Sequence, residues 1–239
     1  MSEPLDPRDA VDLIRARPGM YTGDTRDGTG AVELVMALVG NAFDQHLAGR
    51  CTRIDVQVGD DGIVVRDDGP GMAGDDTAIL ARFARWTDLP TEDGHRPHVH
   101  LSFGPLSLVV ACALSTSLEL HSVRNGIELR ARWARGRVVD PPHRRPTTAA
   151  SGTEVRLVLD PDIFGARLDR GVLLRRLEDL TLLAPGIAVT YAISGALPRG
   201  GLAAHVARAA WVASDAVVTA HAEHPTEFGP ITIDSIGGR

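Results

Sequence analysis

Asp67 closes a run of apolar residues and is followed at once by Asp68-Gly69-Pro70-Gly71-Met72. A carboxylate at a strand end can accept a proton from an exocyclic amino group such as that of adenine. Glycines beside it let a flat base lie against bare backbone. Upstream, Asn41-Ala42-Phe43-Asp44 sets an amide and a carboxylate three residues apart, on one face of a helix. An Asn carbonyl oxygen facing the same space can complete the shell of a hard cation such as Mg²⁺. Together these residues make half of a nucleotide pocket, whereas Asp-x-Gly-x-Gly by itself is also the text of a hairpin turn. A second cluster, His95, His98 and His100, lies beside Glu92 and Asp93. His98 and His100 would point the same way on a strand, so a metal site is one reading and a set of loop imidazoles the other. Zinc needs a fourth ligand or an open water position, and no Cys or acid pair is clearly placed to complete it.

The elements that must hold these groups follow from periodicity. Pro7 suits the first position of a helix running to Ala16 and ended by Pro18-Gly19. Thr29 or Gly30 opens the main helix, whose stripe of Leu34, Leu38 and Ala42 beside Val35, Val39 and Phe43 packs on a sheet. Ile54, Val56 and Val58 alternate, Gly59-Asp60-Asp61-Gly62 turns the chain, and Ile63-Val64-Val65 returns as a hairpin that delivers Asp67. A polar stretch over 73–100 reads as a lid around a short helix at 76–86. An apolar helix spans 106–114, and strands span 118–123, 128–133 and 153–159. The proline-bearing stretch 135–151 reads as a loop. A helix over 172–183 and a strand over 187–193 complete a domain of residues 1–199. Residues 200–239 read as an appended helix and strand pair. These elements read as one α/β-layered domain with a small appendage.

Longer stretches carry a resemblance. Arg17-Pro18-Gly19-Met20-Tyr21-Thr22-Gly23-Asp24-Thr25, then Gly28-Thr29-Gly30, the helix Val39-Gly40-Asn41-Ala42-Phe43-Asp44, and Asp67-Asp68-Gly69-Pro70-Gly71-Met72 follow in order. Ala113-Leu114-Ser115 and Gly152-Thr153-Glu154-Val155 come after them. The order and spacing over roughly residues 8–200 resemble the GHKL (Bergerat-fold) ATPase domain of gyrase B and its topoisomerase IV relative. The resemblance implies the fold class of an α/β two-layer sandwich (α+β), with a mixed, largely antiparallel sheet covered by helices on one face. Residues 200–239 resemble the beginning of that family's transducer domain. The resemblance implies an adenine nucleotide, ATP or ADP with Mg²⁺, as ligand, and a homodimer or another protein partner. It implies a binding set of Asn41, Asp44, Asp67, Gly71, Met72, Gly104, Arg130 and Thr153, with Asn41 reaching Mg²⁺ through the nucleotide and Arg130 at the pocket mouth.

Departures from the family pattern shape the functional expectation. Where the family carries a general-base Glu, four residues before the Asn, this chain has Ala37. A methyl group takes no proton, and loss of a general base typically costs ~10²–10⁴-fold. Glu33 lies one turn earlier on the same stripe, but a helical turn is ~5.4 Å, too far for direct replacement. The family's glycine-rich phosphate loop is reduced to Leu101-Ser102-Phe103-Gly104-Pro105, and Pro105 removes a backbone donor. Pro70 stands where the family has an arginine. The expectation is a nucleotide- or small-molecule-binding pseudo-ATPase. An ATPase fragment of a type II topoisomerase and a pocket repurposed for another small molecule are the alternatives.

Composition narrows the partners. The chain has 239 residues, 44% of them hydrophobic, and a net charge of −6, which argues against a whole-surface grip on nucleic acid. All 25 basic residues are Arg, so no lysine of this sequence can reach a γ-phosphate. Its two tyrosines, Tyr21 and Tyr191, sit outside any DNA-gate context, so direct DNA processing is not expected. No apolar run nears the ~20 residues that span a membrane, and no secretory signal is visible, so the expected location is the cytoplasm. Cys51 and Cys112 are too few for a disulfide framework. The Met1 start, with these substitutions, points to a stand-alone protein.

Overall fold

Alternating Val, Ile and Leu in the sequence become the inner face of one seven-stranded sheet. The computed structural model describes residues 7–84, 108–184 and 186–193. In chain order it has α1 (Pro7–Ala16), α2 (Gly19–Thr22), α3 (Thr29–Leu47), β1 (Arg53–Gly59), β2 (Gly62–Asp67), α4 (Asp76–Ala84) and α5 (Leu108–Ala113). These are followed by β3 (Ser115–Arg124), β4 (Ile127–Ala134), β5 (Arg137–Pro146), β6 (Gly152–Leu159), α6 (Arg170–Leu183) and β7 (Ala188–Ile193). The strand order is β5-β4-β3-β6-β2-β1-β7. Every pairing is antiparallel except β1 with β7. This is the mixed, largely antiparallel α/β sandwich that the resemblance implies.

Register sorts the side chains by face, because successive strand residues point to opposite sides. Tyr191, Val56, Val65, Val155, Leu120 and Ala131 form one cross-strand row from β7 to β4. All six are buried in one core with the inner stripes of α3, α5 and α6. Each fully buried Val, Leu or Ile contributes about 1.5–3 kcal/mol relative to exposure. The next row, one residue along, is Thr190, Asp55, Arg66, Glu154, His121, Arg130 and His143, running across all seven strands. These polar side chains mark the face away from the helices. Arg66 bonds Glu154 at 2.6 Å within that row.

Charge pairs and a cap fix the helices. Arg15 of α1 reaches the Ala113 carbonyl at 2.6 Å and the fully buried Asp160 at 2.8 Å. Asp169 caps α6 by accepting from the Val172 N–H at 2.8 Å. Arg176 of α6 meets Glu33 of α3 at 2.5 Å.

One expectation is overturned. Pro141, Pro142 and Pro146 predict a loop over 135–151, yet β5 occupies Arg137–Pro146. The strand lies at the sheet edge, bonded to β4 alone, and its pairing with β4 is interrupted by a register shift between Arg130 and Arg132, opposite Pro141-Pro142; an edge strand with such an irregularity is where a sheet tolerates proline. The expected segment 200–239 lies outside the described residues. Among the described residues, no helix is long and apolar enough to cross a membrane.

Candidate functional site

A cleft opens between α3, the end of β2, the loop after it, and the near ends of β3 and β6. It encloses about 230 Å³. Asp67, Thr153, Gly71, Met72 and Asn41 all line it, so five of the expected binding residues come together. α3 contributes Leu38, Asn41 and Gln45, spaced three and four residues apart and therefore one stripe of that helix. Val65 and Val155 supply apolar wall, and Arg50, Arg82 and Arg124 bring positive charge.

Asp67 sits where the apolar inner face of the sheet turns polar. Ile54, Asp67, Thr153, Ser122 and Leu129 are cross-strand neighbours in one row, and its middle three positions are polar. Burial pushes the Asp67 carboxyl up to about 6, and hydrogen bonds from the backbone N–H groups of Gly69 and Thr153 pull it part of the way back. The Gly69 N–H donates to Asp67 Oδ1 at 2.8 Å. The next residue faces elsewhere: Asp68 accepts from the Thr52 N–H at 2.8 Å, the Thr52 hydroxyl at 2.5 Å and the Arg53 N–H at 2.8 Å, anchoring the start of β1.

The loop after β2 comes close to β3. Gly71 has φ +77°, and a Cβ there would stand 2.2 Å from the Val123 carbonyl oxygen, so only glycine fits. The Met72 N–H donates to Ser122 Oγ at 2.7 Å, and Arg124 Nη1 donates to the Gly71 carbonyl at 3.2 Å.

Asn41 lines the cleft, and its Nδ2 donates to the Ala37 carbonyl at 3.1 Å, which leaves the amide oxygen available as an acceptor. An amide oxygen suits a hard cation held jointly with ligand phosphates, so the residue fits the Mg²⁺ role the resemblance implies. Among the described residues, no group of three or more His, Cys, Asp or Glu is arranged to hold a metal on its own.

Two residues of the expected set lie elsewhere. Asp44 is buried and outside the cleft lining, because the helix stripe facing the cleft runs through 38, 41 and 45 rather than 41 and 44. Arg130 belongs to the row on the sheet's other face and pairs with Glu128 at 2.8 Å. Gly104, His95, His98 and His100 lie outside the described residues. Ala37 stands buried on α3, and Glu33 faces Arg176.

Sequence reasoning missed Gln45, Arg50, Arg82, Arg124 and Ser122. Gln45 had a legible signal, four residues beyond Asn41. Ser122 had one too, since it falls where the alternation Leu118, Leu120 calls for another apolar residue. Arg50 donates to Gln45 Oε1 at 3.1 Å, a contact with no local signature.

No family model matches the chain. It is similar to the B subunit of DNA gyrase from Caulobacter vibrioides, 34% identical over a 200-residue alignment that covers 76% of this chain and 25% of that protein. The gyrase B protein of Mycobacterium leprae is 31% identical over 198 residues, 76% of this chain and 28% of its own length. That of Thermotoga maritima is 34% identical over 189 residues, covering 76% and 30%. The chain thus spans about a quarter of the length of these relatives.

Proposed function

Since the chain carries a GHKL domain of the gyrase B type, we propose that it holds an adenine nucleotide in the Asp67 cleft without efficient hydrolysis. The observation that carries this reading is a division within the site. Asp67, Thr153, Gly71 and Met72 converge on one cleft, while the position of the family's general base is the methyl of Ala37. The base-recognition half is present and the proton-accepting group is not.

The chemistry at each residue follows from its surroundings. The ionised Asp67 carboxylate accepts from the exocyclic amino group, and its burial keeps water from competing for that proton. The glycines of the 69–71 turn let the ring approach the backbone. Asn41 would share in holding Mg²⁺, which when bound neutralises phosphate charge. Glu33 does not substitute as a base: it is committed to Arg176 and lies outside the cleft lining. Removing a general base leaves binding intact while costing ~10²–10⁴ in rate.

Calorimetry with ADP and Mg²⁺ tests the reading. A hydrogen bond to a buried charged group contributes about 1.5–3 kcal/mol. Asp67→Asn, which presents an amide where the carboxylate was, is expected to abolish measurable binding. Unchanged affinity would remove Asp67 from the site. Steady-state ATP turnover is expected far below the ~1 s⁻¹ of ordinary enzymes. Ala37→Glu alone is expected to recover little of it, and a wild-type rate at or above that value would overturn the pseudo-ATPase reading.

A further inference from the structure

Ser122 stands in the row of Asp67 and Thr153, one strand beyond Thr153, where the sheet's apolar inner face turns polar. It is 2% exposed. Its hydroxyl does two jobs at once: Oγ accepts the Met72 N–H at 2.7 Å and donates to the Gly152 carbonyl at 3.3 Å. One side chain therefore ties together the loop after β2, the end of β3 and the start of β6, the three segments that surround Asp67. The next two residues of β3 reinforce the tie. The Val123 carbonyl abuts Gly71, and Arg124 donates to the Gly71 carbonyl.

The geometry points to Ser122 as the positioning residue that sets the height of the Gly71–Met72 backbone relative to the Asp67 carboxylate. It thereby determines whether a flat, amino-bearing ring fits the cleft. The inference rests on the adenine-nucleotide reading for its ligand, but not for the contact itself. The Met72 N–H is part-buried, and without the Ser122 hydroxyl it must find a new partner, which shifts the backbone that carries it. Any such movement displaces the surface against which the ring lies while leaving Asp67 in place. Ser122 itself acts through that backbone and need not touch the ligand.

A pair of variants separates the hydroxyl from packing. Ser122→Thr and Ser122→Val add nearly the same bulk, and only the first keeps the oxygen. ADP affinity by calorimetry is expected to fall about tenfold in the Val variant, the loss that one broken hydrogen bond brings. The Thr variant is expected to stay close to wild type. Exchange of the Met72 amide, followed by NMR without ligand, should accelerate in the Val variant and not in the Thr variant. Equal ADP affinity in the two variants, or a Met72 amide equally protected in both, would overturn the assignment. Should a β-branched variant fail to fold, Ser122→Ala against wild type carries the same comparison without added bulk. If wild type binds no ADP, the nucleotide reading fails by itself, and Met72 exchange then decides the role of Ser122 alone.

Discussion

Asp67 is an acid poised close to the physiological range, because burial has pushed its carboxyl up to about 6 against the pull of two backbone donors. A folded pKa above the unfolded one means that the folded chain binds this proton more tightly. Its contribution to the stability of the unliganded protein is therefore fully present below about pH 4, and declines by about 2–3 kcal/mol as pH rises to about 6. Ligand binding has the opposite slope, because an amino donor needs the ionised acceptor. ADP affinity should rise with pH up to about 6 and level off above it. Below that point it should fall by about tenfold per pH unit. Calorimetry between pH 5 and pH 7.5 reads this out, and a flat profile in wild type would detach the ligand from Asp67. The residues that come together here, Asp67, Gly71, Met72, Thr153 and Asn41, were legible because a strand end, a glycine turn and a helix face each leave a local trace. Asp44 and Arg130 lie away from the cleft: Asp44 is off the 38, 41, 45 stripe of α3, and the alternation of Leu129, Ala131 and Trp133 sends Arg130 to the other face of the sheet.

Among the elements, β5 shows most clearly what a local reading overlooks. Its prolines read as loop, and only its place at the sheet edge makes them compatible with a strand. What holds that edge is charge: Glu128 of β4 is paired with Arg145 of β5 and with Arg130 and His121. Hydrogen bonds from Arg145, and then from Arg130, hold the Glu128 carboxyl down to about 2. A depressed folded pKa places this contribution above the ordinary glutamate range, and it is lost as pH falls from there towards 2. Glu128→Gln should accelerate amide exchange over 137–146 at neutral pH while leaving the Asp67 cleft's ADP affinity unchanged. Exchange that rose uniformly across the sheet would show that the pair supports the whole fold instead. The tie between α3 and α6 admits a similar test. Glu33→Gln should lower stability by about 1–3 kcal/mol in denaturant titration, because it weakens the partly buried Arg176 contact. It should not change ATP turnover, and a loss of turnover would make Glu33 a candidate base again. The strands and long helices were legible from periods of two and of about 3.6, while their order across the sheet was not, since it is set by pairings distant in sequence.

At the scale of the molecule, a net charge of −6 sits beside a sheet face whose polar row sets Asp55 and Glu154 on either side of Arg66. Such a face presents no uniform positive field to a polyanion. A gel shift with duplex DNA at moderate salt should therefore show no tight complex; a salt-sensitive one would contradict this. The order of strands also carries a consequence in time. β2 can close its hairpin with β1 as soon as both exist, but its other neighbour is β6, and Arg66 and Glu154 of that pairing stand 88 positions apart. As the chain is synthesised, the Asp67 strand waits with one edge unpaired until β6 emerges, and the cleft has no floor before then. A ligand for this cleft thus arrives after the sheet has assembled and cannot template it. In stopped-flow experiments ADP should slow unfolding and leave the refolding rate unchanged, because its contacts are absent from the barrier and present only in the finished protein.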